Sequence, residues 1–277
     1  MICKKIELPV QYKNSGIRNN GFTPYLKTYI LENFDEFSKD RKRPLVLICP
    51  GGGYQMHSER EGEAVAIKMN AMGYHACLLY YSLKPMDFPA ALLDLAEAMH
   101  CIRSHAEEWN VMENKIVVGG FSAGGHLAAS LGVYWNSPLL KKFLPYSPEG
   151  LKPNGLLLGY PVITTGEFAH QDSIDNVLGG TKDYSESDVA LDKHVSPSLP
   201  PVFIWHTDED DFVPMENSFA FASACRKNKV PLEFHVFRRG VHGLSLATKE
   251  TSWADGGGVQ PECSVWPELF NSWMQTL

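Results

Sequence analysis

The sequence is short of positive charge. Its 25 Lys and Arg stand against 32 Asp and Glu, a formal net charge of −7. It therefore lacks the basic surface that neutralises phosphates, and nucleic acid is excluded as an expected partner. It also lacks any run of ~18 apolar residues, so no segment is expected to span a bilayer, and the acidic balance gives no help to binding an anionic membrane. Met1 to Glu7 has no apolar stretch of the signal-peptide kind, which makes the cytoplasm the expected location. The six cysteines (Cys3, Cys49, Cys77, Cys101, Cys225, Cys263) show no paired spacing and no CxxC. Several lie in apolar runs, as buried free thiols in a reducing compartment do. No internal repeat or low-complexity tract is present.

What is there is an alternation of apolar strand-like runs with helical stretches, the pattern of a mostly parallel sheet covered by helices on both faces. A chain of 277 residues of this class is expected to form one domain with a large core. Strands are expected over Thr23 to Leu31 (antiparallel with the segment near Ile6), Leu45 to Cys49, Tyr74 to Tyr81, Lys115 to Gly120, Gly155 to Tyr160, Pro201 to Trp205 and Leu232 to Phe237. Helices are expected over Glu59 to Met72 with apolar spacing at Ala64, Ile67 and Ala71, Pro89 to Trp109, Leu127 to Tyr134, Met215 to Lys227 and Pro267 to Met274. From Pro161 to Pro200 the pattern loosens. That stretch is read as a small helical insertion or partial cap, a candidate lid or homodimer interface, too short for a second domain.

Gly120-Phe121-Ser122-Ala123-Gly124 matches G-x-S-x-G. The motif alone is weak, but here it falls between an expected strand and an expected helix, the setting of a nucleophile elbow. Small residues let the chain turn sharply there and lift the serine hydroxyl out of the sheet, and the positive end of the following helix points at the reacting carbonyl. The bland alternative, an ordinary glycine-rich turn, is disfavoured because the run is neither G-x-G-x-x-G nor a P-loop.

A serine hydroxyl needs an adjacent base, and the base needs an orienting acid. In a fold of this kind both follow the nucleophile, acid first. Of the histidines downstream, His235 lies within a strand and His206 ends one. His242 sits in a glycine-flanked loop just past the last strand, where open α/β sheets place their sites, and is the expected base. The acid should come from Asp208-Glu209-Asp210-Asp211. The residues alone do not choose among these four carboxylates, and some of them only solvate the loop. Neither an EF-hand nor a zinc spacing is present, so no metal and no cofactor is expected. Oxyanion donors are expected from the Ala123 amide and from the loop Pro50-Gly51-Gly52-Gly53-Tyr54.

These segments resemble the esterase branch of the α/β-hydrolases, most closely small bacterial esterases of the acetyl-xylan-esterase-like or feruloyl-esterase-like kind. Arg60-Glu61-Gly62-Glu63, Pro89 to Asp94, Gly120 to Leu127, Trp205 to Ser218 and His242 to Ser245 carry the resemblance with the Pro-Gly-Gly-Gly loop. It implies Asp210, separated from Val213-Pro214 by two residues, as the acid, with Asp211 the runner-up, and the amides of Gly51 and Gly52 as the oxyanion donors of the glycine loop. It implies a serine esterase acting on short acyl esters, acetyl above all, of a small molecule such as an acetylated sugar or xylo-oligosaccharide. Pro50 stands where many relatives have histidine, which changes what braces the loop. His126, one helical turn beyond Ser122, is read as packing or bracing. Tyr54 and Tyr81 are candidate substrate-binding residues, and Tyr80 and Trp205 could also line a sugar site, although aromatics equally report a core. A peptidase or amidase of the same fold, and a non-catalytic homologue, are the alternatives.

Overall fold

The computed structural model describes residues 1–10, 17, 20–36 and 38–277. Its strands are β1 (Lys5–Glu7), β2 (Tyr25–Tyr29), β3 (Arg43–Cys49), β4 (His75–Tyr80), β5 (Val111–Phe121), β6 (Gly155–Gly159), β7 (Val202–Thr207) and β8 (Leu232–Phe237). The helices are α1 (Glu63–Ala71), α2 (Ala90–Ser104), α3 (Ala123–Tyr134), α4 (Pro138–Phe143), α5 (Pro148–Leu151), α6 (Gln171–Leu178), α7 (Glu186–Val189), α8 (Glu216–Lys227) and α9 (Trp266–Met274). One sheet runs β1-β2-β4-β3-β5-β6-β7-β8. β1 and β2 are antiparallel, and all pairings from β4 to β8 are parallel. No helix among the described residues is long and apolar enough to cross a membrane.

The apolar runs are uninterrupted because both faces of the sheet are covered. Within β3, Leu45, Leu47 and Cys49 enter a core shared with α2, α3 and α8, through Leu95, Leu127 and Phe221. Val46 and Ile48 enter the opposite core, with Val65 and Met69 of α1 and Phe270 and Met274 of α9.

Local details depart from the sequence reading. The expected Glu59 to Met72 helix is a 3-10 turn at Glu59–Glu61, a break at Gly62 (φ −103, ψ −102), and then α1. Its buried residues are Val65, Ala66 and Met69, whereas Ile67 is 52% exposed. Of the Ala64/Ile67/Ala71 spacing, Ala64 packs half-buried against the core while Ile67 and Ala71 face outward, because alanine and isoleucine fit an exposed turn as well as a core. β5 begins at Val111 rather than Lys115. Its polar start pairs through Arg43↔Val111 before a register shift, and that irregularity breaks the apolar pattern. The 161–200 stretch carries α6, α7 and a 3-10 turn at Leu191–Lys193.

β3 bonds to β4 on one side and β5 on the other. Strand order therefore reverses at β3/β5, and the loops leaving these two carboxyl ends face each other across a crevice, the usual ligand position in open α/β sheets.

Candidate active site

β5 ends at Phe121 and α3 begins at Ala123, leaving Ser122 alone in the turn with φ 54 and ψ −123. A positive φ is uncommon for a residue with a side chain. It is held by backbone bonds on both sides: Ser122 N–H donates to Gly159 O (3.0 Å), and Ser122 O accepts from His126 N (3.1 Å) and Val162 N (3.1 Å). The turn is too tight for side chains beside it. A Cβ at Gly120 would stand 2.0 Å from Gly124 O, and one at Gly124 would stand 2.1 Å from Cys49 O. These contacts are with backbone, which cannot swing aside. Gly124→Ala should therefore cost several kcal/mol, at or beyond the ~1–3 kcal/mol typical of overpacking. Urea denaturation monitored by tryptophan fluorescence measures it.

Ser122 Oγ lies 2.8 Å from His242 Nε2, and His242 Nδ1 lies 2.7 Å from Asp210 Oδ2. The four-carboxylate loop thus delivers Asp210 to the histidine. An ionised carboxylate only accepts, so Nδ1 carries the proton and Nε2 is left to accept from the serine hydroxyl. Asp210 Oδ1 accepts from the amides of Phe212 (3.1 Å) and Val213 (2.9 Å). His206 Nε2 lies 3.3 Å from Oδ2, while its Nδ1 meets Ser218 Oγ at 2.8 Å. Burial alone raises the Asp210 pKa, but the hydrogen bonds from His206 and His242 outweigh it and hold the carboxyl well below the usual carboxylate range. His206, read from sequence only as the end of a strand, helps keep the acid ionised.

The Pro50–Tyr54 loop lies against the elbow. A Cβ at Gly51 would stand 2.8 Å from Ser122 Cβ and 2.7 Å from Phe121 O. The structure corrects one donor. Gly51 N–H donates to Glu61 Oε2 at 2.8 Å, so it is spent on the loop's own support. Gly52 lines the cleft beside Ser122. Its amide and that of Ala123, at the first turn of α3, remain the candidate oxyanion donors.

Tyr54 and Tyr81 are corrected as well. Both are buried, at 2% and 0% exposure, and neither lines the cleft. Tyr81 Oη donates to Pro50 O (2.6 Å), which supplies the brace for a loop that begins with proline. Tyr54 Oη lies 2.8 Å from His126 Nδ1, whose Nε2 meets Val189 O at 2.9 Å. With a carbonyl fixing the proton on Nε2, Tyr54 donates to Nδ1, and His126 is a buried tie between the elbow helix and α7. Trp205 is fully buried and stacked on Trp266, and Tyr80 stacks on Tyr25.

Burial pulls the pKa of His126 down to about 4, and that of His75 likewise to about 4. Both stay neutral in the folded protein, while the unfolded chain protonates near the ordinary value of 6.5. Below that value the unfolded state binds more protons, so stability present above pH 6.5 is lost as pH falls through 4. Each group contributes on the order of 2–3 kcal/mol to that loss. Urea midpoints should hold level above pH 6.5 and fall steadily as the pH drops from there toward 4, and His126→Gln should flatten the slope.

The cleft has a volume of ≈ 420 Å³. Ser122, His242 and Gly52 lie in its wall, with Met56 and Gln55 from the glycine loop and Asp172 and Asn176 from α6. Asn176 Nδ2 donates to Gly53 O (2.8 Å), tying the 161–200 stretch to the loop. Phe212, 62% exposed, packs on His242 (5.3 Å between ring centres) and on His170 (4.5 Å). Nothing local in the sequence marks His170, Asp172 and Asn176, which reach the site from the 161–200 stretch, and Phe212 is likewise unmarked within the acidic loop.

An eight-stranded, mostly parallel sheet with this serine elbow, histidine loop and acidic loop defines the α/β-hydrolase fold. The family model BD-FAE matches residues 34–225, and the chain belongs to that family. It is 39% identical over 244 residues to endo-1,4-beta-xylanase B of Butyrivibrio fibrisolvens, covering 85% of this chain and 37% of that protein. It is 30% identical over 210 residues to an acetylxylan esterase of Xylanibacter ruminicola, covering 72% of this chain and 40% of that one. The chain thus spans about two fifths of the length of these curated relatives. Among solved structures it resembles an acetyl ester-xyloside bifunctional hydrolase from Caldicellulosiruptor lactoaceticus, with TM-score 0.84, 33% identity, and 99% of this chain and 96% of that one covered. It also resembles the carboxylesterase Cest-2923 from Lactobacillus plantarum, with TM-score 0.82, 28% identity, and 100% and 98% covered.

Proposed function

We propose that this protein is a serine carboxylic-ester hydrolase that removes short acyl groups, acetyl above all, from sugars or xylo-oligosaccharides. The observation that carries the reading is the unbroken hydrogen-bonded line Asp210–His242–Ser122 beside an open cleft. His242 takes the hydroxyl proton as Ser122 attacks the ester carbonyl, and Asp210 holds the imidazole in register and stabilises its charged form. The Gly52 and Ala123 amides receive the oxyanion. His242 then protonates the departing alcohol, and water, activated by the same imidazole, releases the acyl group.

The names of the relatives support an acylated sugar as substrate. The cleft wall supports it too, because Gln55, Ser58, Asp172 and Asn176 offer hydrogen-bonding groups of the kind sugar hydroxyls need. The cysteine usage supports a reducing compartment, the cytoplasm.

The test has two parts. A fluorophosphonate probe should label the protein at Ser122. In a panel of acetylated xylo-oligosaccharides, p-nitrophenyl esters of increasing acyl length and peptide amides, acetate release should dominate. A protein that resists the probe and releases no acyl group would be a binding module, and preferred cleavage of amides would make it a peptidase.

A further inference from the structure

We propose that Glu61 is a positioning residue that locks the oxyanion loop and the His242 loop to each other through one buried carboxylate. The proposal rests on the esterase reading above and goes beyond it in assigning a role to a side chain outside the Ser-His-Asp line. Glu61 is 2% exposed and lies in the wall of the cleft. Its Oε2 accepts from Gly51 N–H at 2.8 Å, and its Oε1 accepts from Tyr160 Oη at 2.7 Å. Tyr160 Oη in turn accepts from Ser245 N–H at 2.9 Å. The donors run in one direction from each side: Ser245 N–H to Tyr160 O–H to Glu61, and Gly51 N–H to Glu61. Both carboxylate oxygens face donors, so only an acceptor-only group satisfies the junction.

Each end of this line reaches the chemistry. Gly51 is packed against Ser122 and is joined directly to Gly52, so fixing Gly51 fixes the bond about which the Gly52 amide would turn. Ser245 lies three residues after His242, and the ring of Tyr160 stands edge-on to the His242 ring at 5.0 Å. The neighbouring Arg60 reinforces the same joint. Its guanidinium donates to Gly243 O (2.6 Å) and Thr251 O (3.3 Å), and its own carbonyl accepts from Ser245 Oγ (2.6 Å). Ser245 holds φ 53, a conformation these bonds maintain. The Gly52 amide and the general base therefore share one support, although they come from loops almost two hundred residues apart in the chain.

Glu61→Gln keeps the shape and places an NH2 group against one of the two donors. Tyr160→Phe deletes a single oxygen from the line. Glu61→Gln should lower kcat on p-nitrophenyl acetate about 100-fold, the size of losing one oxyanion donor, with KM changed less than about threefold. Its rate of phosphonylation by a fluorophosphonate should fall in parallel, because the phosphonyl oxygen needs the same amides. Tyr160→Phe should lower kcat about tenfold, and Glu61→Gln/Tyr160→Phe should be no worse than Glu61→Gln within about threefold, since both break one line.

The proposal is overturned if Glu61→Gln keeps kcat within about threefold of wild type, if the loss is in KM alone, or if the two losses multiply in the double variant. Where circular dichroism shows that Glu61→Gln does not fold, Tyr160→Phe alone decides: lowered kcat at constant KM supports the line, and unchanged kcat overturns it. Ser122→Ala measured alongside separates the two levels. Turnover that survives Ser122→Ala brings down the esterase reading itself, whereas Glu61→Gln turnover that is wild-type in size and abolished by Ser122→Ala overturns only the role of Glu61.

Discussion

Ser122→Ala should reduce ester hydrolysis by about 10⁵-fold or more and leave the fold intact. The magnitude follows from what the hydroxyl does in the proposed mechanism. It is the group that forms the acyl-enzyme, and in serine hydrolases the triad works as a unit whose loss leaves only the background supplied by the oxyanion donors and binding. The structure predicts no penalty in stability. Among the described residues Ser122 Oγ bonds to the imidazole alone, while the strained turn is maintained by backbone bonds with Gly159, His126 and Val162 that the substitution does not touch. Steady-state turnover of p-nitrophenyl acetate, corrected for the spontaneous rate, gives the first quantity, and the urea midpoint gives the second. A midpoint near wild type with turnover at the level of buffer is the expected pair. Turnover within tenfold of wild type would remove Ser122 from the mechanism.

Much of this site is legible before any coordinates. The elbow is written in consecutive residues, because a tight strand-to-helix turn imposes its steric demand locally at Gly120 and Gly124. Similarly, the buried strands announce themselves as short apolar runs, because both faces of the sheet are covered. Position along the chain was enough to single out His242, since one loop past the last strand holds one histidine. What stays hidden is whatever depends on where a side chain ends. Gly51 reads as an oxyanion donor until Glu61, ten residues on, is found to accept its N–H. Tyr54 and Tyr81 read as cleft residues because they sit beside a functional loop, yet their rings turn inward and their hydroxyls brace Pro50 and His126. The α1 face was misjudged for a related reason. Small and branched apolar residues recur on both sides of that helix, so spacing alone could not tell core from surface.

The choice of acid is the sharpest case, and it sets the second large effect. Asp210→Asn should lower kcat by about 10⁴-fold at neutral pH, while Asp211→Asn should stay within about threefold, the scale of a surface change. Both are isosteric, so the contrast tests hydrogen bonding rather than packing. The Asp210 carboxylate accepts on both oxygens: the Phe212 and Val213 amides at Oδ1, His242 and His206 at Oδ2. An asparagine must turn its NH2 toward one of these sides. Facing the two amides, it would oppose two fixed donors, so the NH2 settles toward His242. The imidazole then accepts at Nδ1 and carries its proton on Nε2, where it donates to Ser122 Oγ instead of accepting from it. The serine keeps its proton and the nucleophile is lost, with no cavity created. Among the described residues Asp211 and the other acidic residues of the loop make no such contact, and Glu209 is engaged with Gly240 N–H at 3.1 Å. The pH profile supplies the second readout. Activity of Asp210→Asn should recover steeply toward alkaline pH, where the attacking hydroxyl loses its proton to hydroxide without the imidazole, and the wild-type plateau near neutrality should vanish. A profile unchanged in shape, or a larger loss in Asp211→Asn, would assign the acid to the neighbour.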